Sequence, residues 1–255
     1  RTLVLIKAQD AIADPVRYVW NGATTTDKTT TNWTPNGTPG PRDIILFTIG
    51  TIGKDITVSN NLVVDEMLVG KSFMSNIGSA STPLRIGVQT RLVLAREFGN
   101  TFLDLGIPRT VTPTVGTPTV YIDGTGGAAD TNLLDGTATD VHILDARSRV
   151  KLNEITLDNL WVTPRNGKVA KVLIAQDTSG TADTFVVYVG GRGVVQANSG
   201  PGNTLLWGKA VMKVTNTIRG TLIMVGDPKL TMDGSDILGT SSITCLLYTS
   251  PSPRD

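Results

Sequence analysis

Three short segments, Val194-Val195-Gln196, Val211-Met212-Lys213-Val214 and Lys229-Leu230-Thr231-Met232, recur 17 or 18 residues apart, and this step constrains the fold more than any other feature. Their preceding partners, around Val186–Val189, Leu205–Trp207 and Leu222–Val225, keep a similar step. Each unit reads as an apolar strand, a Gly turn, a second strand and a polar turn. One such unit is too thin to bury its own inner side chains, so it needs the next unit stacked against it. The pattern predicts an all-β chain, a right-handed parallel β-helix (solenoid), with a β-sandwich as the alternative.

The earlier part of the chain fits the same class. Short apolar runs at Asp55–Val58, Asn61–Val64, Glu66–Val69, Leu84–Ile86, Arg91–Ala95, Thr101–Leu105, Thr119–Ile122, Val141–Leu144, Lys151–Thr156, Leu160–Thr163 and Val169–Ile174 read as strands. Gly and Thr are abundant, Glu is rare, and no apolar stripe of helical period lasts beyond three turns. Four segments follow: residues 1–17 as an N-terminal arm or the end of a preceding segment, 18–51 as a Trp/Pro cap loop with the first strand, 52–244 as the solenoid, and 245–255. Within the arm, Thr2–Ile6 reads as a strand and Ala8–Ala13 as a helical turn.

The last segment, Cys245 to Asp255, reads as a translated sequencing adapter and not as native protein. The expectation is therefore a fragment from an environmental assembly whose native part ends near Thr244. Without that segment no cysteine remains, because the chain has one in all. Disulfides, thiol nucleophiles and cysteine-held metals drop out with it. With 23 Lys and Arg against 22 Asp and Glu, the net charge of +1 gives no overall basic field for nucleic acid. No apolar run approaches the ~20 residues of a membrane span.

The stretch Trp20-Asn21-Gly22, a Thr-rich spacer, Asn32-Trp33-Thr34, a Gly-containing loop, Pro39-Gly40, then Asp43 and Ile44-Ile45-Leu46 resembles the opening of many β-helical proteins of environmental tailed phages and of autotransporter-passenger-like bacterial surface proteins. Ser79–Gly87 (Ser-Ala-Ser-Thr-Pro-Leu-Arg-Ile-Gly), and Arg96-Glu97-Phe98-Gly99 followed by Phe102-Leu103-Asp104-Leu105-Gly106, are similar to later strands of the phage group. The likeness runs from Tyr18 to Leu144. The chain departs from the pattern in its spacer, which holds Asp27 but lacks the usual Asp-Trp. The resemblance implies a virion location, a homotrimer, other virion proteins as partners, and a host-surface glycan or protein as ligand. Physically, Trp20 and Trp33 are expected to cap the first coil, and Asp43 to hold loop amides ahead of its strand.

Chemistry is sparsely signalled. His142 is the single histidine, and Val141 and Ile143 alternate with it, so it is expected on an outer strand face and not as a triad base or a metal ligand. Val69-Gly70-Lys71-Ser72 matches the end of a phosphate-binding loop, but the required leading Gly is Asp65. Gly124–Gly127 and Gly190–Gly193 read as turns. Paired carboxylates for glycosidic cleavage would come from Asp227, Asp233 and Asp236, or from Asp123, Asp130 and Asp135. Each of these equally suits a tight turn, and no Asp-Gly ladder supports Ca²⁺. The reading assigns no catalytic, cofactor or metal residue. It expects a non-enzymatic tail fibre, spike or head appendage that presents turns such as Gly124–Asp135 and Ala197–Asn203 to a host. A bacterial adhesin or autotransporter passenger is the alternative, and a glycan depolymerase the third.

Overall fold

Strand Leu62–Val69 shows how sequence becomes architecture here. Leu62, Val64, Met67 and Val69 are buried, whereas Val63, Asp65, Glu66 and Leu68 are only half-buried. Two consecutive outward residues, Asp65 and Glu66, interrupt the alternation, and the pairing register slips at that place. What reads as two strands in the sequence is therefore one strand with an irregularity. Leu84–Leu94 and the long Thr131–Asn153 likewise join runs that look separate.

A computed structural model of the chain describes residues 14–25, 30–48, 53–57, 62–106, 116–125, 130–165, 168–175, 185–198, 200–233, 237–238 and 241–243. The arm before Asp14, with Thr2–Ile6 and Ala8–Ala13, lies outside them, as does the adapter-like end. The described chain is all-β. Its helical content is one short 3-10 turn at Thr30–Asn32, and no helix among the described residues is long and apolar enough to cross a membrane.

All pairings between its strands are parallel except that of Val19–Trp20 with Trp33–Thr34. The longest column of register partners runs Tyr18, Ile45, Met67, Leu92, Val120, Val141, Leu160, Val187, Thr204, Leu222, Ser241. A second runs Val150, Val172, Val195, Met212, Leu230, and a third Leu84, Leu103, Leu133. The 17- and 18-residue steps are real: Val194 pairs with Val211, and Val211 with Lys229.

Inward residues of these columns form one continuous apolar core from Trp20 to Leu222. Each side chain is covered by its register partner above and below. Full burial of a Val, Leu or Ile stabilises by about 1.5–3 kcal/mol, so the columns carry most of the favourable energy.

At the start, Trp20 and Trp33 meet edge to face at 5.0 Å, and Phe47 packs 5.9 and 6.0 Å from them. Phe73 extends this group, 5.2 Å from Phe47. Both tryptophans are fully buried, and the Trp20 indole N–H donates to the Lys54 carbonyl at 2.8 Å. Asp43 does hold loop amides: its carboxylate accepts from Val16 N at 3.0 Å and from Gly40 N at 2.7 Å. The strand Arg17–Trp20, which pairs with Ile44–Leu46, has no counterpart in the sequence reading. Its Arg-Tyr-Val-Trp run is bounded by Asp14-Pro15 and Asn21-Gly22, but it is short and falls mostly in the stretch read as the cap loop.

Candidate functional site

The outer face of the longest column carries the most distinctive surface. Its outward register partners are Val93, Tyr121, His142, Trp161, Tyr188, Leu205 and Ile223, so four rings fall on four successive strands. Strand neighbours lie ~4.8 Å apart, close to the separation at which aromatic planes stack. Tyr121 and His142 stack at 4.9 Å between centroids with planes 10° apart. His142 and Trp161 follow at 5.9 Å and 10°, and Trp161 and Tyr188 at 3.8 Å and 8°. All four side chains are half-buried.

Above Tyr188 the ladder stops, because Leu205 and Ile223 take its place. The smaller side chains leave a cleft of about 340 Å³ lined by Val186, Tyr188, Asn203, Leu205, Thr221 and Ile223, with Thr204. No charged group lines it. Trp207 does not extend the ladder; it lies over Gly190, whose missing side chain makes room.

The carboxylates proposed for glycosidic cleavage are scattered. Asp123 pairs with Arg165 at 3.1 Å and Asp233 with Lys213 at 3.1 Å. Asp130 is exposed, and its backbone bonds to Asn100 and Thr101. Asp135, at φ 50°, is exposed and accepts from Gly136 N at 2.5 Å. Asp227 is exposed in a turn, and Asp236 lies outside the described residues. Of three further ion pairs, Arg85–Asp104 and Arg91–Glu66 join neighbouring strands, and Lys168–Asp145 ties the segment before Ala170–Ile174 to the strand Thr131–Asn153. The ion-paired candidates are thus engaged with basic partners, and Asp135 sits where its positive-φ turn needs it.

No protein-family model, curated protein or solved structure matches the chain.

His142 sits on the outer face, as alternation with Val141 and Ile143 predicts, but it is packed between Tyr121 and Trp161. The sequence analysis places His142 on an outer strand face but does not find the ladder. The signal that could have revealed it is the register itself, since 121, 142, 161 and 188 are equivalent positions on successive strands. The faces of these rings are largely taken up by one another, so the ladder presents mainly edges to solvent. The cleft beside Tyr188 offers a concave surface there.

The remaining buried charge is structural. Arg96 is fully buried, and its guanidinium donates to the carbonyls of Asn100, Phe98 and Ser75 and to the Thr101 hydroxyl. It also lies 5.5 Å from the Phe73 ring centre. Burial lowers its pKa from 12.5 to about 10, partly opposed by the charge of Asp55, so it is a cation at neutral pH. This explains the Arg96-Glu97-Phe98-Gly99 motif: Arg96 ties the loop from inside, and Gly99, at φ +73°, makes space for it.

Proposed function

We propose that this chain is a non-enzymatic structural component of a phage particle, a tail fibre, spike or head appendage built on a right-handed parallel β-helix. The carrying observation is the unbroken column of parallel register partners from Tyr18 to Ser241. A rod stacked in this way is stiff along its axis, because bending it would open inter-strand hydrogen bonds and the apolar core together. Right-handedness follows the strong rule for parallel crossover connections. The tryptophan-lined opening supports the likeness to phage β-helical proteins, since the motif residues Trp20, Trp33 and Asp43 all do structural work.

The rigid surface is read as a host-attachment surface, and the assembly as a homotrimer. The outer aromatic face supplies an apolar contact for it, with Ile223 38% exposed beside the half-buried Leu205. A bacterial surface adhesin or autotransporter passenger with the same coils is the second reading. The depolymerase reading loses ground because Asp123 and Asp233 are ion-paired and the other described candidates lie in exposed turns.

Mass spectrometry on nuclease-treated, density-banded particles from the source community tests this. Peptides from residues 130–165 should band with capsid proteins. Peptides found instead in a bacterial outer-membrane fraction would transfer the assignment to the adhesin.

A further inference from the structure

The chain has a net charge of only +1, yet one sheet face is strongly basic. It is built from the second column, strands ending at Asn153 and then Ala170–Ile174, Gly193–Ala197, Val211–Val214 and Lys229–Met232. Its outward positions carry Arg149, Lys151, Lys171, Lys213 and Lys229, and no carboxylate. Lys213 pairs with Asp233 at the strand end. Arg149, Lys151, Lys171 and Lys229 have no ion-pair partner among the described residues.

Two features set this face apart from an ordinary solvated surface. A register shift next to Lys171 brings Arg149 directly beside it on the neighbouring strand. Like charges in that relation destabilise a sheet, so the pair brings nothing to folding. Between Lys171 and Lys229 lie two strands whose equivalent positions are Val194 and Val211, each 37% exposed. Cations thus flank an uncharged apolar strip that spans about three strand spacings of ~4.8 Å.

We infer that this face binds an acidic polysaccharide, with carboxylates held by Arg149/Lys171 and by Lys229 and an uncharged ring face laid on Val194 and Val211. The inference rests on the attachment reading above and names its ligand class. The charge pattern decides against nucleic acid. A nucleic-acid strand carries a phosphate every ~3.4 Å, which would leave charges uncompensated over the two valines. A second copy of the chain is also disfavoured, because a self-contact here would bring like charges together.

The test uses the full chain and the double variant Arg149→Gln/Lys171→Gln, with hyaluronan (in which a carboxylate sugar alternates with an uncharged one), neutral dextran and single-stranded DNA as probes in biolayer interferometry. These positions are exposed, so circular dichroism should show an unchanged fold. Lys229→Gln serves as a second, independent variant. Hyaluronan should bind the wild-type chain, weaken between roughly 50 and 200 mM salt, and lose about tenfold or more in affinity in either variant. Dextran should not bind. Equal affinity in wild type and both variants, binding of dextran, or preferential binding of DNA would overturn the inference. Particle proteomics reads the virion assignment separately, so a failure of one is distinguishable from a failure of the other.

Discussion

Trp161 and Tyr188 stack face to face, 3.8 Å between ring centres and 8° from parallel, although a long excursion of chain separates them. The contact exists because Trp161 and Tyr188 are register partners on neighbouring parallel strands. A single slip would turn one ring inward and break it. The ladder is thus a direct reporter of register.

That coupling is measurable. A double-mutant cycle with Trp161→Leu and Tyr188→Leu, followed by urea unfolding, should return an interaction energy of about 0.5–1.5 kcal/mol. Tyr121→Leu with Tyr188→Leu, three strands apart with no ring partner in common, should come out additive. Additivity in the first pair would mean that the rings do not stack in solution.

Gly190 and Trp207 make a second test of register. A Cβ on Gly190 would fall 2.1 Å from the indole of Trp207. Gly190→Ala should therefore destabilise by about 1–3 kcal/mol, the usual result of overpacking. The displaced indole should also shift its fluorescence to the red. Adding Trp207→Leu should restore much of the stability. If Gly190→Ala alone is neutral, Trp207 lies elsewhere.

Both relationships show what the sequence discloses and what it hides. The 17- and 18-residue steps around Val194, Val211 and Lys229 are visible because the turns there are short and the segments alike. Thr101–Leu105, Ile44–Phe47 and Val211–Val214 are bounded as read, since turn residues flank each run. Earlier steps vary in length, from 19 residues between His142 and Trp161 to 27 between Trp161 and Tyr188, so equivalent positions cannot be lined up by eye. For that reason Tyr121, His142, Trp161 and Tyr188 look scattered. The basic face is hidden for a related reason: Arg149 and Lys171 become neighbours only through the register shift beside Lys171. Net charge averages such a patch away.

The ion pairs between strands should differ sharply in worth. Asp145 is 7% exposed in its side chain, and its Oδ1 has no hydrogen-bond partner among the described residues, so Lys168 is its main compensation at 3.1 Å. Lys168→Met would leave a buried carboxylate alone, which typically costs about 3–5 kcal/mol. Asp233, by contrast, is 66% exposed, and Lys213→Met should cost no more than about 1 kcal/mol. Chemical denaturation of the two variants decides the matter. Equal losses would show that Asp145 finds another partner.

Arg96 sets the last expectation. Its forked head reaches three carbonyls and a hydroxyl at once, a geometry that a lysine ammonium does not reproduce. Arg96→Lys keeps the charge yet should destabilise by at least about 2 kcal/mol, because hydrogen bonds from charged groups contribute about 1.5–3 kcal/mol each. Gly99→Ala should act on the same loop by a different route, since its Cβ would lie 2.3 Å from Arg96 Nη2 at a φ of +73°. Both changes should free the segment around Phe98, which is already 52% exposed. Limited chymotrypsin digestion reads this directly: cleavage after Phe98 should be faster in both variants than in the wild-type chain. Unchanged cleavage in Arg96→Lys would mean that the loop is held by its backbone bonds and not by the buried guanidinium.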